Sequence, residues 1–262
     1  MCFMKKYLFI VITILFFQPL HAQDIFIAKG QIEFEKKVNV HKNLQAVFKS
    51  DDDNNGDDDF FAQIIKQMPE WNTTYFNLYF DGNKTLYKPG REVTVPGPKG
   101  PDWFQDPAQS NVVFCNIDSK QSVSQKSVYE STFLIADSLR TAKWKITNDS
   151  REIAGFNCRK ATTIIMDSVF VVAFYTDQIT TSGGPESFNG LPGMILGLAI
   201  PRIHTTWFAT KVESTDPAPS VLTAPTKGKK GSNTDIMTIL QSAFKNSWNK
   251  KYGQYAQWII AL

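Results

Sequence analysis

The chain has 262 residues, 42% of them hydrophobic and 20% charged, and its 28 basic and 25 acidic side chains leave a formal net charge of +3. That near balance gives no case for nucleic acid, since phosphate-backbone recognition needs a basic patch or stripe of some size, and no such partner is expected. The length suits one large domain, and no low-complexity linker divides it.

Residues 1–22 read as a secretory signal peptide. Lys5-Lys6 form its charged start, Leu8 to Phe17 its apolar core, and Ala22 the small residue before a cut placed between Ala22 and Gln23. That core is too short to span a bilayer, and no later apolar run reaches the roughly 18 residues required, so no transmembrane helix is expected. Cys2 precedes the apolar core and therefore cannot serve as a lipoprotein cysteine. Without Lys5 and Lys6 the balance is 26 basic to 25 acidic residues. Residues 23–262 are expected to form a single β-rich domain, exported to the periplasm or the periplasmic face of the outer membrane.

Ile32, Phe34, Val38 and Val40 alternate with Glu33, Glu35 and Lys37, the period of a half-buried strand. Phe60, Phe61, Ile64, Ile65 and Met68 then recur at helical spacing, Asp57 to Asp59 favour the start of that helix, and Pro69 ends it. Strands are predicted over 72–80, 85–88, 111–117, 122–130 and 132–135, with Asp81-Gly82-Asn83 turning the first pair. They continue over 142–147, 159–166, 169–175, 194–199 and 202–212. Short polar turns between near-contiguous strands predict an antiparallel meander. Residues 216–231, rich in Lys and Pro, read as a polar connector. From about 232, Ile236, Ile239, Leu240, Ala243, Phe244 and Trp248 form a helical stripe that Ser232 or Asn233 can cap and Gly253 can close. The expected fold is mainly β with two helices (α+β), a curved antiparallel sheet or half-barrel with helices on its concave face. That element order resembles the lipoprotein carriers, which hold an acyl chain under a helical lid.

Chemistry-bearing residues are sparse. Asp51, Asp53, Asn55, Asp57 and Asp59, with Gly56 in the sixth place, follow the ligand spacing of a calcium loop, but Ala62 stands where the bidentate Glu belongs. The loop is a weak calcium candidate, and no other cofactor is expected. His41 and His204 are the histidines beyond the leader, without zinc-site spacing around them. Cys115 and Cys158 lie in a chain bound for an oxidising compartment, where they either pair or sit as two buried thiols. Trp103 and Phe104, on a Pro- and Gly-rich stretch, are candidates for a contact loop.

The most specific segment runs from Gly183 to Leu198. Gly183, Gly184, Pro185, Phe188, Gly190, Leu191, Pro192, Gly193, Met194 and Ile195 specify a backbone shape, with Pro192-Gly193 suited to a type II turn. Only Glu186, Ser187 and Asn189 within it carry reactive groups. The segment lacks the Lys and Ser/Thr of a phosphate-binding loop. Gly190 to Ile195, together with Trp144, the run Gly155 to Ala161 and Ala173-Phe174-Tyr175-Thr176, resembles the GLPGLI family of secreted Bacteroidota proteins, of Porph_ging type. Met194 stands where the family name has Leu, and Phe174 replaces the aromatic of its usual W-Y-T. The resemblance implies an envelope role, often beside TonB-dependent outer-membrane receptors, with no established enzymatic activity. The expected function is a non-enzymatic cell-envelope binding or accessory protein, its partners an outer-membrane receptor or envelope protein and a lipid or apolar ligand. A metal-dependent hydrolase using the acidic loop or His204 is the alternative, and a calcium-stabilised structural protein a third reading.

Overall fold

The computed structural model describes residues 26–48, 57–93, 108–128, 131–245 and 250–262. In β1 (Lys29–Asn39) the predicted alternation holds, with Ile32, Phe34 and Val38 buried on one face. Lys36 shares that inward face. Its ammonium lies 5.7 Å from the ring of Phe76 and 5.3 Å from that of Trp207, so aromatic faces surround the charge.

β1 is the centre of a 12-stranded sheet among the described residues. On one side it pairs with β2 (Trp71–Asp81), which opens a meander through β3 (Lys84–Pro89), β4 (Val112–Asn116), β5 (Gln121–Val128) and β6 (Ser131–Ser138). On the other side it pairs with β11 (Thr205–Glu213), the last strand of a second meander formed with β7 (Lys145–Ile153), β8 (Phe156–Ile165), β9 (Val169–Thr176) and β10 (Met194–Ile200). Every strand pair so far is antiparallel. The chain then crosses to the far edge, where β12 (Lys229–Gly231) runs parallel to β6. The sheet is therefore mixed, curved and open, with β12 and β7 as its two edges. The expected connector over 216–231 includes that strand, and Leu222 within it is buried, which corrects the reading of a free polar segment.

Four helices are present among the described residues where two were expected. α1 (Val40–Phe48) follows β1 directly, because the Asn39 side chain accepts a hydrogen bond from the Lys42 N–H at 2.8 Å and caps the new helix. The β-branched Val40 had read as one more strand position. α2 (Asp57–Gln67) ends before Pro69 as predicted, and Val40, Leu44 and Ile65 pack the two helices together with Met68. α3 (Asn233–Lys245) opens with a reciprocal cap. The Asp235 N–H donates to Ser232 Oγ at 3.2 Å and the Ser232 N–H to the Asp235 carboxylate at 2.8 Å. α4 (Lys250–Ile260) contains Gly253, which therefore lies inside a helix and does not close one.

α3 and α4 lay Ile236, Leu240, Ala256 and Ile260 over Val128, Phe133 and Ile135 of β5 and β6. The larger core joins the two meanders through Phe34, Phe76, Leu78, Phe80, Val171, Tyr175, Leu198 and Trp207. No helix among the described residues is long and apolar enough to cross a membrane.

Cys115 on β4 and Cys158 on β8 are separate, buried free thiols, so the pairing left open by the sequence does not form. Burial pushes the Cys115 thiol up to about 11 and that of Cys158 to about 12, which keeps both protonated and unreactive near neutral pH. An alkylating reagent is expected to leave both unmodified in the native protein and to label both after unfolding in urea without reductant. Peptide mass mapping checks this, and a Cys115–Cys158 cross-linked peptide would contradict it.

Candidate functional site

The motif segment is the β9–β10 loop, and it crosses the inner face of the sheet. The Ile27 N–H donates to Gln178 O at 2.7 Å and the Thr180 N–H to Ile27 O at 3.1 Å, tying the loop to the chain just before β1. Thr181 Oγ1 then donates to Gly82 O at 2.8 Å in the β2–β3 turn. Asn111 Nδ2, beside β4, donates to the Glu186 carboxylate at 3.0 Å. Ser187 Oγ donates to Leu262 O, and Trp144 Nε1 donates to Asn189 O at 2.9 Å. One loop thus contacts both meanders and the last residues of the chain.

Its local geometry follows from its residues. Gly183 bridges Met194, and the Ile195 N–H donates to Gly183 O at 2.8 Å, closing the loop on itself. Around Pro192 the backbone forms a three-residue turn in which the Gly193 N–H donates to Leu191 O at 2.8 Å. This replaces the expected type II turn. Gly193 has φ +139°, and a Cβ there would lie 2.1 Å from Thr176 O, so only glycine lets this loop reach the start of β10. Phe188, Leu191, Met194 and Ile195 are buried in the main core, as are Gly183, Gly184 and Pro185 in the loop itself. Gly190 and Pro192 are the exposed positions. The loop is an internal support.

Beneath it lies a cluster of charges. Glu186 is buried with a left-handed φ of +54°, in a turn closed by the Phe188 N–H on Pro185 O at 3.2 Å. That conformation costs a residue with a Cβ about 1 kcal/mol, so the carboxylate is held there by its surroundings. Lys126, buried on β5, donates from Nζ to Ile260 O at 2.6 Å. Half-buried Arg140 donates from Nη2 to Ala261 O and to Leu262 O, the latter at 3.4 Å, and its guanidinium carbon is 5.6 Å from the centre of the Phe188 ring. Burial lowers the Lys126 ammonium to about 8; Glu186 and, more weakly, Asp137 oppose the shift, while the Arg140 charge adds to it. Burial also lowers Arg140, again opposed by Glu186 and Asp137.

The other sequence candidates lie apart from this cluster. Asp51, Asp53, Asn55, Trp103 and Phe104 fall outside the described residues. Asp57 and Asp59 stand in the first turn of α2. No group of three or more His, Cys, Asp or Glu residues able to hold a metal forms among the described residues. His41 Nε2 contacts Met68 O at 2.8 Å and braces α1 against the end of α2. His204 ends a 3-10 turn (Pro201–Ile203) with φ +44°, and burial, then the nearby Lys42, lowers its pKa. Lys126, Arg140 and Asn111 were not singled out from the sequence. On β5 Ser124, Lys126 and Val128 share the buried face, so no polar–apolar alternation marks Lys126.

A family model described as a protein of unknown function (Porph_ging) matches residues 165–197, the stretch from the end of β8 through the crossing loop to Gly197 of β10. No curated protein matches the chain. Among solved structures, PNGF-II in its C2 and P21 crystal forms is similar, each with 13% identity and a TM-score of 0.51, over 80% and 81% of this chain. The chain spans about a third of the length of those PNGF-II chains, 32% and 33%. An uncharacterized conserved protein from Thermus thermophilus aligns over 78% of this chain and 90% of its own, at 5% identity and a TM-score of 0.38. The likeness to PNGF-II is one of fold alone.

Replacing Gly193 by Ala is expected to destabilise the protein by about 3 kcal/mol or more, since the clash is with backbone and the φ is strained. Urea unfolding checks this against the exposed glycine at 155, where a Cβ would meet nothing within 4 Å. Lys126 makes a second prediction. Its folded pKa of about 8 lies below the ordinary 10.5, so between those values the unfolded chain binds more protons and stability rises with pH, by about 3 kcal/mol over the window. The two raised thiols act in the opposite sense above pH 9. They cancel when wild type is compared with K126M, and the stability difference between the two proteins is expected to shift in favour of wild type from pH 8 to 10.5.

Proposed function

We propose that this chain is a non-enzymatic protein of the cell envelope, exported to the periplasm or the periplasmic face of the outer membrane, where it serves as a binding or accessory partner of a TonB-dependent receptor. The observation that carries the reading is the use made of the polar groups in the crossing loop and beneath it. Glu186, Lys126, Arg140, Asn111 and Ser187 spend their hydrogen bonds on one another and on the backbone at 260–262. They hold an architecture together. The two thiols are likewise buried and protonated.

The outer surface supports a partner. Ile164 of β8 lies opposite Phe170 of β9, and this cross-strand pair is 64% and 45% exposed. Met166 continues the apolar strip at the hairpin turn. Apolar surface of this kind on an exported protein suits contact with another envelope component.

The test is fractionation of the native host expressing the tagged full chain, followed by co-purification from the detergent-solubilised envelope. The chain is expected in the envelope fraction with a TonB-dependent receptor identified by mass spectrometry, and I164D with F170D is expected to lose that receptor while keeping its fold. A chain confined to the cytoplasm would overturn the proposal, as would an envelope chain that retains no such receptor.

A further inference from the structure

The connector that leaves β11 must pass the sheet to reach β12, because β1 to β6 lie between those two strands. Leu222 within it is buried, and a turn in which the Val221 N–H donates to Ala218 O at 2.8 Å shapes its first part. Between this part and the β2–β3 and β4–β5 turns is an open hollow of about 600 Å³, a size that small ligands occupy.

The floor of the hollow is a row of strand partners. Lys29 pairs with Asp81, Asp81 with Lys84, and Lys84 with Asn116, so four polar residues of β1 to β4 share one face at the strand spacing of about 4.8 Å. The Lys29 ammonium is already held, 3.3 Å from the Asp81 carboxylate and 3.4 Å from that of Asp216 on the connector. Asp118, at the β4–β5 turn, accepts from the Asn83 amide. Asn116 accepts the Ser119 N–H at 3.3 Å through its side-chain oxygen, which leaves its two amide hydrogens to donate elsewhere. Lys84 Nζ makes no ion pair or hydrogen bond among the described residues. The facing wall is apolar, with Pro217, Pro219 and Leu222.

The arrangement of charge selects what fits. One cation, Lys84, stands between carboxylates on both sides of it, Asp81 in the row and Asp118 at the next turn. A molecule with one charge of each sign satisfies both kinds of seat, through hydrogen bonds that are stronger than those between neutral groups. The seats are one to two strand spacings apart, about 5 to 10 Å. A free α-amino acid carries its two charges on a single carbon and cannot reach both, whereas two or three extended residues span about 7 to 10 Å.

We propose that this hollow is a binding site for a zwitterionic peptide of two or three residues with both ends free. The terminal carboxylate takes Lys84 and the Asn116 amide, the terminal ammonium takes Asp118, and an apolar side chain rests on Pro217, Pro219 and Leu222. The site belongs to β1 to β4 and the connector, whereas the exposed Ile164 and Phe170 belong to β8 and β9, so it goes beyond the receptor reading and does not rest on it.

The probe is the tripeptide Ala-Leu-Ala, titrated by calorimetry into the full chain at low ionic strength. Its N-acetylated form, its C-amidated form, free leucine and maltotriose are the comparisons. The free tripeptide is expected to bind saturably and at least fivefold more tightly than any of the four. K84Q is expected to weaken it at least fivefold and to abolish the preference for a free over an amidated C-terminus. D118N is expected to weaken it at least threefold and to abolish the preference for a free over an acetylated N-terminus. K120Q, on the same turn but outside the hollow, is expected to leave binding unchanged; all three positions are exposed. The absence of saturable binding overturns the proposal, as does equal affinity for a blocked form, maltotriose binding as tightly as the tripeptide, or a K84Q protein that keeps its preference at the C-terminus. Loss of the receptor in co-purification leaves this site standing, and loss of tripeptide binding leaves the receptor reading standing.

Discussion

A β9–β10 loop threaded across the inner face of the sheet is the constraint on which the remaining structure depends. Two meanders that share only β1 need a further connection to hold one curvature, because strand pairing fixes neighbours and leaves the distant strands free. The loop supplies it by bonding in turn near β1, at the β2–β3 turn, beside β4, at Trp144 and at Leu262. Its glycines follow from that path. Where the loop returns to pair Met194 with Thr176, the backbone approaches so closely that the space for one methyl group is missing at Gly193.

The polar residues of the interior have the same origin. A loop laid across the inner face of a sheet carries peptide groups and side chains out of water, and each needs a partner there. Glu186 is the one carboxylate of the loop to be buried, and Asn111, Lys126 and Arg140 surround it from three other segments of the chain. Such a cluster contributes little net stability compared with an apolar core, because desolvating its charges is costly. What it fixes is position: the loop, β5 and the last turn of α4 are held in one register by groups that would be left unsatisfied in any other.

The strands were largely legible because their cue is local. Period-two alternation placed β1, the strands predicted over 72–80, 159–166, 169–175 and 194–199 match β2 and β8 to β10, and the Asp81-Gly82-Asn83 turn correctly joined β2 to β3. Helices were less so. α1 was hidden by Val38 and Val40, which extend a strand pattern that the Asn39 cap in fact ends, and Gly253 signalled a stop inside α4. β12 is three residues long and exists only because β6 offers it an edge, which no periodicity over Lys229–Gly231 records. Within the site, the loop was recognisable from Gly and Pro, and Glu186 was one of its three reactive residues, with Ser187 and Asn189. The partners of Glu186 were not recognisable, since Asn111, Lys126 and Arg140 meet it only through long-range topology.

The loop and α4 meet at one place but differ in what holds them. The loop is covalently continuous with two inner strands at both ends, closes on itself through Gly183 and Ile195, and buries Phe188, Leu191 and Met194 in the main core. Releasing it would remove one tie between the meanders, which β1 and the main core also join. α4 is bound by one apolar side, by the Asn43 amide on the Tyr255 hydroxyl at 2.6 Å, by Arg202 over the Trp258 ring, and by backbone oxygens on Lys126, Arg140 and Ser187. A glycine within it lowers its intrinsic helicity by about 1 kcal/mol relative to alanine. α4 is tied to the core from one side, with Ile259 in the main core, whereas the loop is held at both ends and along its length.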